Sequence, residues 1–336
     1  MSDPRLTKLA AVILDYTTRV GEGDTVVIRG EMLGEPLLNE LYRGSLIRGA
    51  NPFLEVWLPN QHEIFFRHAQ DHQLDYVSPI LRQYYEEFDV LIRLDAEANT
   101  KARSSIDPAK QSRFEAAYRD VMATYLKRSS TGEFRWCRSL FPTQAYAQDT
   151  DMSLFEFEDF VFSACMVDTD EDPVQRWKEL SARQQGWVDW LDGKKEVHLL
   201  GPGTDLRVSV EGRKWINCDG SDYNMPDGEI FTGPVETAVD GQVSFTYPVC
   251  DRGREVEDVI LRFEGGRVVE ASASKNEDYL LAMLDTDEGS RRLGEFAFGC
   301  NPGIQRFSKN ILFDEKIGGT VHMAVGAAYP ETGGVN

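Results

Sequence analysis

Apolar residues Leu6, Leu9, Val12, Ile13, Tyr16 and Val20 recur at helical spacing until Gly21-Glu22-Gly23-Asp24 interrupts them, and 25–28 then reads as a buried strand. The cycle returns with a helix near 35–49, a strand at 53–57, helical segments across 61–87, a strand at 90–94, a helix near 107–127 and a strand at 135–140. Strands alternating with helices predict a doubly wound, mostly parallel α/β sheet. Asp172-Pro173 opens a further helix with Val174, Trp177, Leu180, Trp187, Val188 and Leu191 on one face, and Asp192-Gly193 closes it. Beyond Glu196 the period becomes that of strands, at 197–200, 206–210, 230–235 and 243–249, followed by a hairpin of 256–263 and 268–273 around Glu264-Gly265-Gly266. The expectation is an α/β domain over 1–192 and a β-rich α+β domain over 193–336.

Composition narrows the class. The 336 residues are 41% apolar and 11% aromatic, enough for a substantial core and too apolar for disorder. A formal charge of −20 without a basic cluster opposes binding to nucleic acid or an anionic membrane, and leaves cationic groups such as peptide α-ammonium ions or metal ions as partners. Five scattered cysteines, Cys137, Cys165, Cys218, Cys250 and Cys300, lack C-x-x-C spacing and indicate neither a disulfide framework nor a thiolate zinc site. Reduced thiols, no apolar run of about 18 residues and a start without a leader-like apolar segment point to a cytoplasmic protein.

Several motifs are set aside. Gly201-Pro202-Gly203 leads into another strand, not into the helix N-terminus that a phosphate needs. Asp219, Asp222, Asn224 and Asp227 lack calcium-loop spacing. His62, His68 and His72 lie in a polar segment that a surface helix explains, although four-residue spacing of the last two is compatible with a metal. His198, inside an apolar strand, reads as a core histidine. No G-x-S-x-G elbow and no cysteine–histidine signature supports acyl transfer.

The remaining chemistry is acidic. Asn224-Met225-Pro226-Asp227-Gly228-Glu229 places one carboxylate between a turn and the apolar run Ile230-Phe231-Thr232. Leu293-Gly294-Glu295-Phe296-Ala297-Phe298-Gly299 sets another among small and apolar residues, and Asp314-Glu315-Lys316 precedes His322. Burying three glutamates is costly without countercharge, which two divalent cations would provide; pairing of Glu315 with Lys316 or an arginine is the rival explanation.

These segments, N-M-P-D-G-E-I-F-T at 224–232, L-G-E-x-x-x-G followed by Asn301-Pro302-Gly303, and D-E-K-I-G-G-T-V-H-M-A-V-G at 314–326, occur in an order that resembles the metal-dependent aminopeptidases typified by thermophilic aminopeptidase T and aminopeptidase S. The resemblance spans essentially the whole chain. It implies a two-metal hydrolase acting on the N-terminal peptide bond of peptides, with zinc, cobalt or manganese held by Glu229, Glu295, Glu315 and His322, and with Glu295 able to serve both ions. It implies that Tyr329 donates to the oxyanion, that Glu295 or Glu315 moves the proton, and that the protein is a homodimer. The family continues into a Ser-x-x-His-x-Asp stretch beyond Gly333-Gly334-Val335-Asn336, so a C-terminally truncated catalytic domain is expected. The opposing class is a noncatalytic homologue, binding a small ligand or serving as a scaffold; a nucleotide-dependent oxidoreductase lacks its glycine fingerprint.

Overall fold

The computed structural model describes residues 3–104, 106–251 and 254–336, so Met1 and Ser2 of the chain start lie outside it. The chain divides into two compact units, Met1–Trp177 with Gly220–Pro226, and Lys178–Asp219 with Asp227–Asn336. The expected boundary near 190–195 is the end of helix Pro173–Leu191, whereas the division runs inside that helix. Its Trp177 belongs to the first unit, where Nε1 donates to the Cys165 carbonyl at 3.0 Å, and its Gln184 is wholly buried in the second.

In the first unit, β1 (Thr25–Glu31), β2 (Asn51–Trp57), β3 (Val90–Asp95) and β4 (Arg135–Leu140) are parallel in the order β2-β1-β3-β4. The chain steps first to one side of β1 and then to the other, the doubly wound arrangement that the alternating pattern predicts. Val26, Val27 and Ile28 of β1 are fully buried, as the continuous apolar run of an internal parallel strand requires. Tyr223–Met225 adds a fifth parallel strand beside β4, with Cys137 opposite Tyr223. Only long-range pairing assigns this three-residue strand to the first unit.

Local departures have local causes. The first helix, Pro4–Ala11, widens into a π-helical stretch at Val12–Thr17, with the Thr18 N–H donating to the Ile13 carbonyl. The helix expected near 107–127 is two helices, Pro108–Ala117 and Arg119–Ser130.

The second unit is antiparallel. Its strands are β5 (Glu196–Gly201), β6 (Thr204–Ser209), β7 (Ile216–Cys218), then, after Tyr223–Met225 (β8, already described), β9 (Glu229–Thr232), β10 (Val239–Ser244), β11 (Val249–Asp251), β12 (Arg254–Val256), β13 (Ile260–Glu264), β14 (Arg267–Ser272), β15 (Leu293–Gly299) and β16 (Val321–Val325). One sheet has the order β14-β13-β10-β6-β5 and another β16-β15-β9-β7. They share a core in which Leu206, Val208, Val239, Phe263, Trp215 and Phe296 are buried. Each side chain of this size stabilises by about 1.5–3 kcal/mol relative to exposure. The strand expected at 243–249 begins earlier, at Val239, where Gly241 has φ of +117° and a Cβ would lie 2.1 Å from the Asp205 carbonyl oxygen.

His198 is a correction. It lies on an exposed stretch of β5 and its Nε2 is 2.8 Å from Asp205 Oδ1, because β5 is an edge strand of its sheet. His68 and His72 do not share a helix: Gln61–His68 ends before Asp71–Leu74 begins. No disulfide joins the five cysteines, and no helix among the described residues is long and apolar enough to cross a membrane.

Candidate metal centre

The β16-β15-β9 sheet positions the acids and the histidine. On β15, Glu295, Ala297 and Gly299 alternate onto one face. Ala297 lies opposite His322 of β16, and Gly299 lies opposite Glu229 of β9. Directly opposed residues project to the same side, so two small residues on the middle strand leave room for the larger pair on its neighbours. His322 Nε2 is 3.0 Å from Glu229 Oε2 and 3.2 Å from Glu295 Oε1.

The turn before β9 is fixed by its neighbours. Gly228 has φ of +115°, and a Cβ there would lie 2.8 Å from Asn301 Cβ. Asn301 Nδ2 donates to the Asp227 carbonyl at 2.8 Å, and the Cys300 N–H donates to the Gly228 carbonyl at 2.7 Å. Behind β9, Gln184 Nε2 donates to the carbonyls of Glu229 at 3.0 Å and Cys218 at 3.1 Å.

Glu315 arrives on a loop. Asn310 Oδ1 caps the short helix Ile311–Asp314, and Asp314 Oδ1 accepts from the Ser308 N–H at 2.6 Å and its hydroxyl at 2.7 Å. The Asn301 N–H donates to the Lys316 carbonyl at 3.0 Å, fastening the loop beside β15. A Cβ on Gly299 would lie 2.2 Å from the Ile317 carbonyl oxygen, so that close passage requires glycine.

From the sequence Lys316 reads only as a rival partner for Glu315. Its ammonium reaches both carboxylates, 3.0 Å from Glu229 Oε1 and 2.9 Å from Glu315 Oε2, with 2% of the side chain exposed. The adjacent Asp-Glu-Lys sequence was the signal available; the contact with Glu229 depends on the folded loop. Burial pushes the Glu229 carboxyl up, but the positive charges of Lys316 and His322 more than reverse this and bring it to about 2. Burial alone would lower the His322 imidazole, yet Glu229 and Glu295 raise it to about 9.

One ligand atom each from Glu229, Glu315 and His322 lies within 4.8 Å of the others, as does one each from Cys218, Asp227 and Glu229. Glu295 joins the first group through His322. Both ring nitrogens of His322 and Oε2 of Glu229 are buried without a hydrogen-bond partner, so their 3.0 Å approach is not an aligned hydrogen bond. Once the imidazole gives up its proton, a ring nitrogen and carboxylate oxygens so placed match the donor types that zinc, cobalt or manganese takes. Tyr329 follows β16 and its ring packs on Phe231 at 5.3 Å. Burial, then the charges of Glu295, Glu315 and Glu229, push its phenol up to about 12.

Comparison with known proteins defines the class as a peptide-bond hydrolase. Residues 2–336 match the thermophilic metalloprotease family M29, and the chain belongs to that family. It is 28% identical to Aminopeptidase 2 of Geobacillus stearothermophilus over 356 residues, covering 98% of this chain and 84% of that protein. It is 36% identical to Aminopeptidase T of Thermus aquaticus over 215 residues, covering 58% of this chain and 50% of that protein. In fold it is similar to wild-type AmpT from Thermus thermophilus, with TM-score 0.80 and 24% identity over 95% of this chain and 85% of that one. A 2,5-dihydroxypyridine dioxygenase from Pseudomonas putida KT2440 shares the fold at TM-score 0.57 and 12% identity, covering 100% of this chain and 89% of that one.

Proposed function

We propose that this chain is a metal-dependent aminopeptidase that hydrolyses the N-terminal bond of peptides, with Glu229, Glu295, Glu315 and His322 forming its cation centre. The observation that carries the reading is the convergence of two buried atoms without an aligned hydrogen bond, His322 Nε2 and Glu229 Oε2, at 3.0 Å. Without a metal the two meet as an ion pair that lacks an aligned hydrogen bond; a divalent cation would take the place of the imidazolium proton and be held by both atoms. A divalent ion supplies acidification of water and polarisation of the scissile carbonyl.

The chain's own residues supply the rest. Tyr329, a neutral phenol at working pH, donates to the oxygen that becomes negative in the tetrahedral intermediate. Of the two carboxylates considered for proton transfer, Glu315 is more accessible, with 30% of its side chain exposed against 15% for Glu295. Glu315 therefore carries the proton to the departing amine. Remaining acidic groups attract the peptide α-ammonium, consistent with the chain's charge of −20. A homodimer is proposed on the resemblance alone, and light scattering tests it.

The test is release of the N-terminal residue from short peptides by chelator-stripped protein, before and after readdition of zinc, cobalt or manganese. Activity that returns only with metal is expected. Full turnover by protein with no metal on elemental analysis would refute the reading.

A further inference from the structure

We infer that the parallel sheet of the first unit carries an anion site, in which Arg93 and Arg138 hold the carboxylate or phosphate group of a small molecule. The register of the sheet lays the charges side by side. Arg29 of β1 lies opposite Glu55 of β2 and Arg93 of β3, and Arg93 lies opposite Arg138 of β4, which in turn faces Asn224 of β8. Partners in register on parallel strands project to one face, so these five side chains form a row across the sheet. Neighbouring strands are about 4.8 Å apart, and like charges abreast at that spacing oppose folding unless something holds them.

The first arginine is accounted for within the fold. Arg29 Nε is 2.6 Å from Glu55 Oε2, and its guanidinium lies over the rings of Trp57 and Tyr84 at 5.0 and 5.5 Å. Arg93 and Arg138 instead share one acid, their Nε atoms donating to Asp95 Oδ1 at 2.9 Å and Oδ2 at 2.6 Å. Glu31, at the end of β1, spends its Oε2 on the Ala96 N–H at 2.7 Å. Among the described residues no hydrogen bond uses the terminal nitrogens of Arg93 or Arg138. Their side chains are 47% and 42% exposed, whereas that of Asp95 is 9% exposed. A buried carboxylate thus fixes both guanidinium groups by one nitrogen each and leaves their outer nitrogens open.

One arginine would suffice to pair Asp95. Two, aligned by a common acid, offer an oxyanion paired N–H groups from both strands at little cost in side-chain ordering. The position in the fold agrees. The chain passes from β1 to β2 on one side and to β3 on the other, and ligands of doubly wound sheets bind beyond the carboxyl ends of the strands where the order reverses. Arg93 and Asp95 stand in the last half of β3, beside that point, with the Trp57 ring 5.8 Å from the Arg93 guanidinium. No glycine fingerprint follows β1, so the ligand is a small anion and not a dinucleotide. On a chain of charge −20 only such local contacts favour an anion. None of these residues belongs to the proposed metal centre, and the inference does not depend on that function.

Calorimetric titration of the full chain with inorganic phosphate, and separately with N-acetyl-dialanine and its C-terminal amide, tests the site. The acetyl group removes the free amine that an aminopeptidase requires, so this peptide probes its carboxylate alone. Phosphate or the acid form of the peptide is expected to bind with a dissociation constant below about 1 mM, and the tighter of the two identifies the group recognised. Arg93→Lys and Arg138→Lys keep the charge but lose the paired N–H geometry, and each should weaken that binding at least about 10-fold. Arg138→Gln should abolish it; if losing a partner of Asp95 unfolds this variant by circular dichroism, the two lysine variants decide. Binding of neither probe, equal binding of acid and amide with none of phosphate, or binding unchanged in either lysine variant would overturn the inference.

Discussion

His322 Nε2 lies 3.0 Å from Glu229 Oε2 on the adjoining face of one sheet, and neither atom has a hydrogen-bond partner. Their strands do not pair with each other: each pairs with β15, where Ala297 opposes His322 and Gly299 opposes Glu229. The small residues of β15 thereby bring two distant segments into one cluster of candidate ligands.

Replacing either residue tests its part in metal binding, with circular dichroism checking the fold because Glu229 also pairs with the buried Lys316. His322→Ala and Glu229→Ala should each lower metal affinity by at least about 10-fold, in line with lost coordination, and reduce peptide hydrolysis by more than about 100-fold. Competition with a chromogenic chelator measures the first and amino-acid release the second. Wild-type affinity in either variant would exclude that residue as a ligand.

Tyr329→Phe removes one hydroxyl while keeping the ring on Phe231. The expected loss is about 10²-fold in kcat with KM little changed, the signature of a donor used in the transition state. Because the phenol is pushed up to about 12, it stays protonated near neutrality, and the loss should be constant between about pH 6 and 9. A variant matching wild-type kcat would remove Tyr329 from the mechanism.

Gly228→Ala tests the turn that delivers Glu229. The residue must hold φ of +115° while its new Cβ approaches Asn301 Cβ at 2.8 Å. We expect destabilisation of about 1–3 kcal/mol with weakened metal binding, read from urea unfolding and equilibrium dialysis. Unchanged values for both would show that the turn accommodates a side chain.

Acid sensitivity in the first unit is expected at Asp95. Burial would raise this carboxyl, but Arg93 at 2.9 Å and Arg138 at 2.6 Å hold it below its ordinary 3.8. A depressed carboxylate stabilises the fold above its unfolded value and loses that contribution as pH falls through the folded one. Asp95→Asn should therefore destabilise by about 1–3 kcal/mol at pH 7, with the gap from wild type narrowing below about pH 4. Unfolding curves at pH 7 and pH 3 check this, and a gap independent of pH would contradict it.

The division between what was legible and what was not follows the range of the forces involved. Periodicity determines the helices and parallel strands of the first unit, because Val26-Val27-Ile28 must be buried whatever surrounds them. It likewise marks Glu229 and Glu295 as acids set among apolar neighbours, and the D-E-K-I-G-G-T-V-H segment carries Glu315 and His322. Local pattern has no access to pairing partners. The attachment of Tyr223–Met225 to β4, the edge position that exposes His198, and the small-residue gap of β15 beneath Glu229 and His322 all depend on strand register.

Lys316 marks the limit most clearly. As an isolated residue beside Glu315 it reads as half of an ordinary ion pair. Only the folded loop, fastened at Asn301 and passing over Gly299, brings its ammonium 3.0 Å from Glu229 and takes it out of water. The sequence by itself determined the elements and the acidic chemistry, since both follow from side-chain type and short-range spacing. Tertiary structure decided which charges meet, because Coulomb energy depends on distance and burial, and neither is set until the strands have paired.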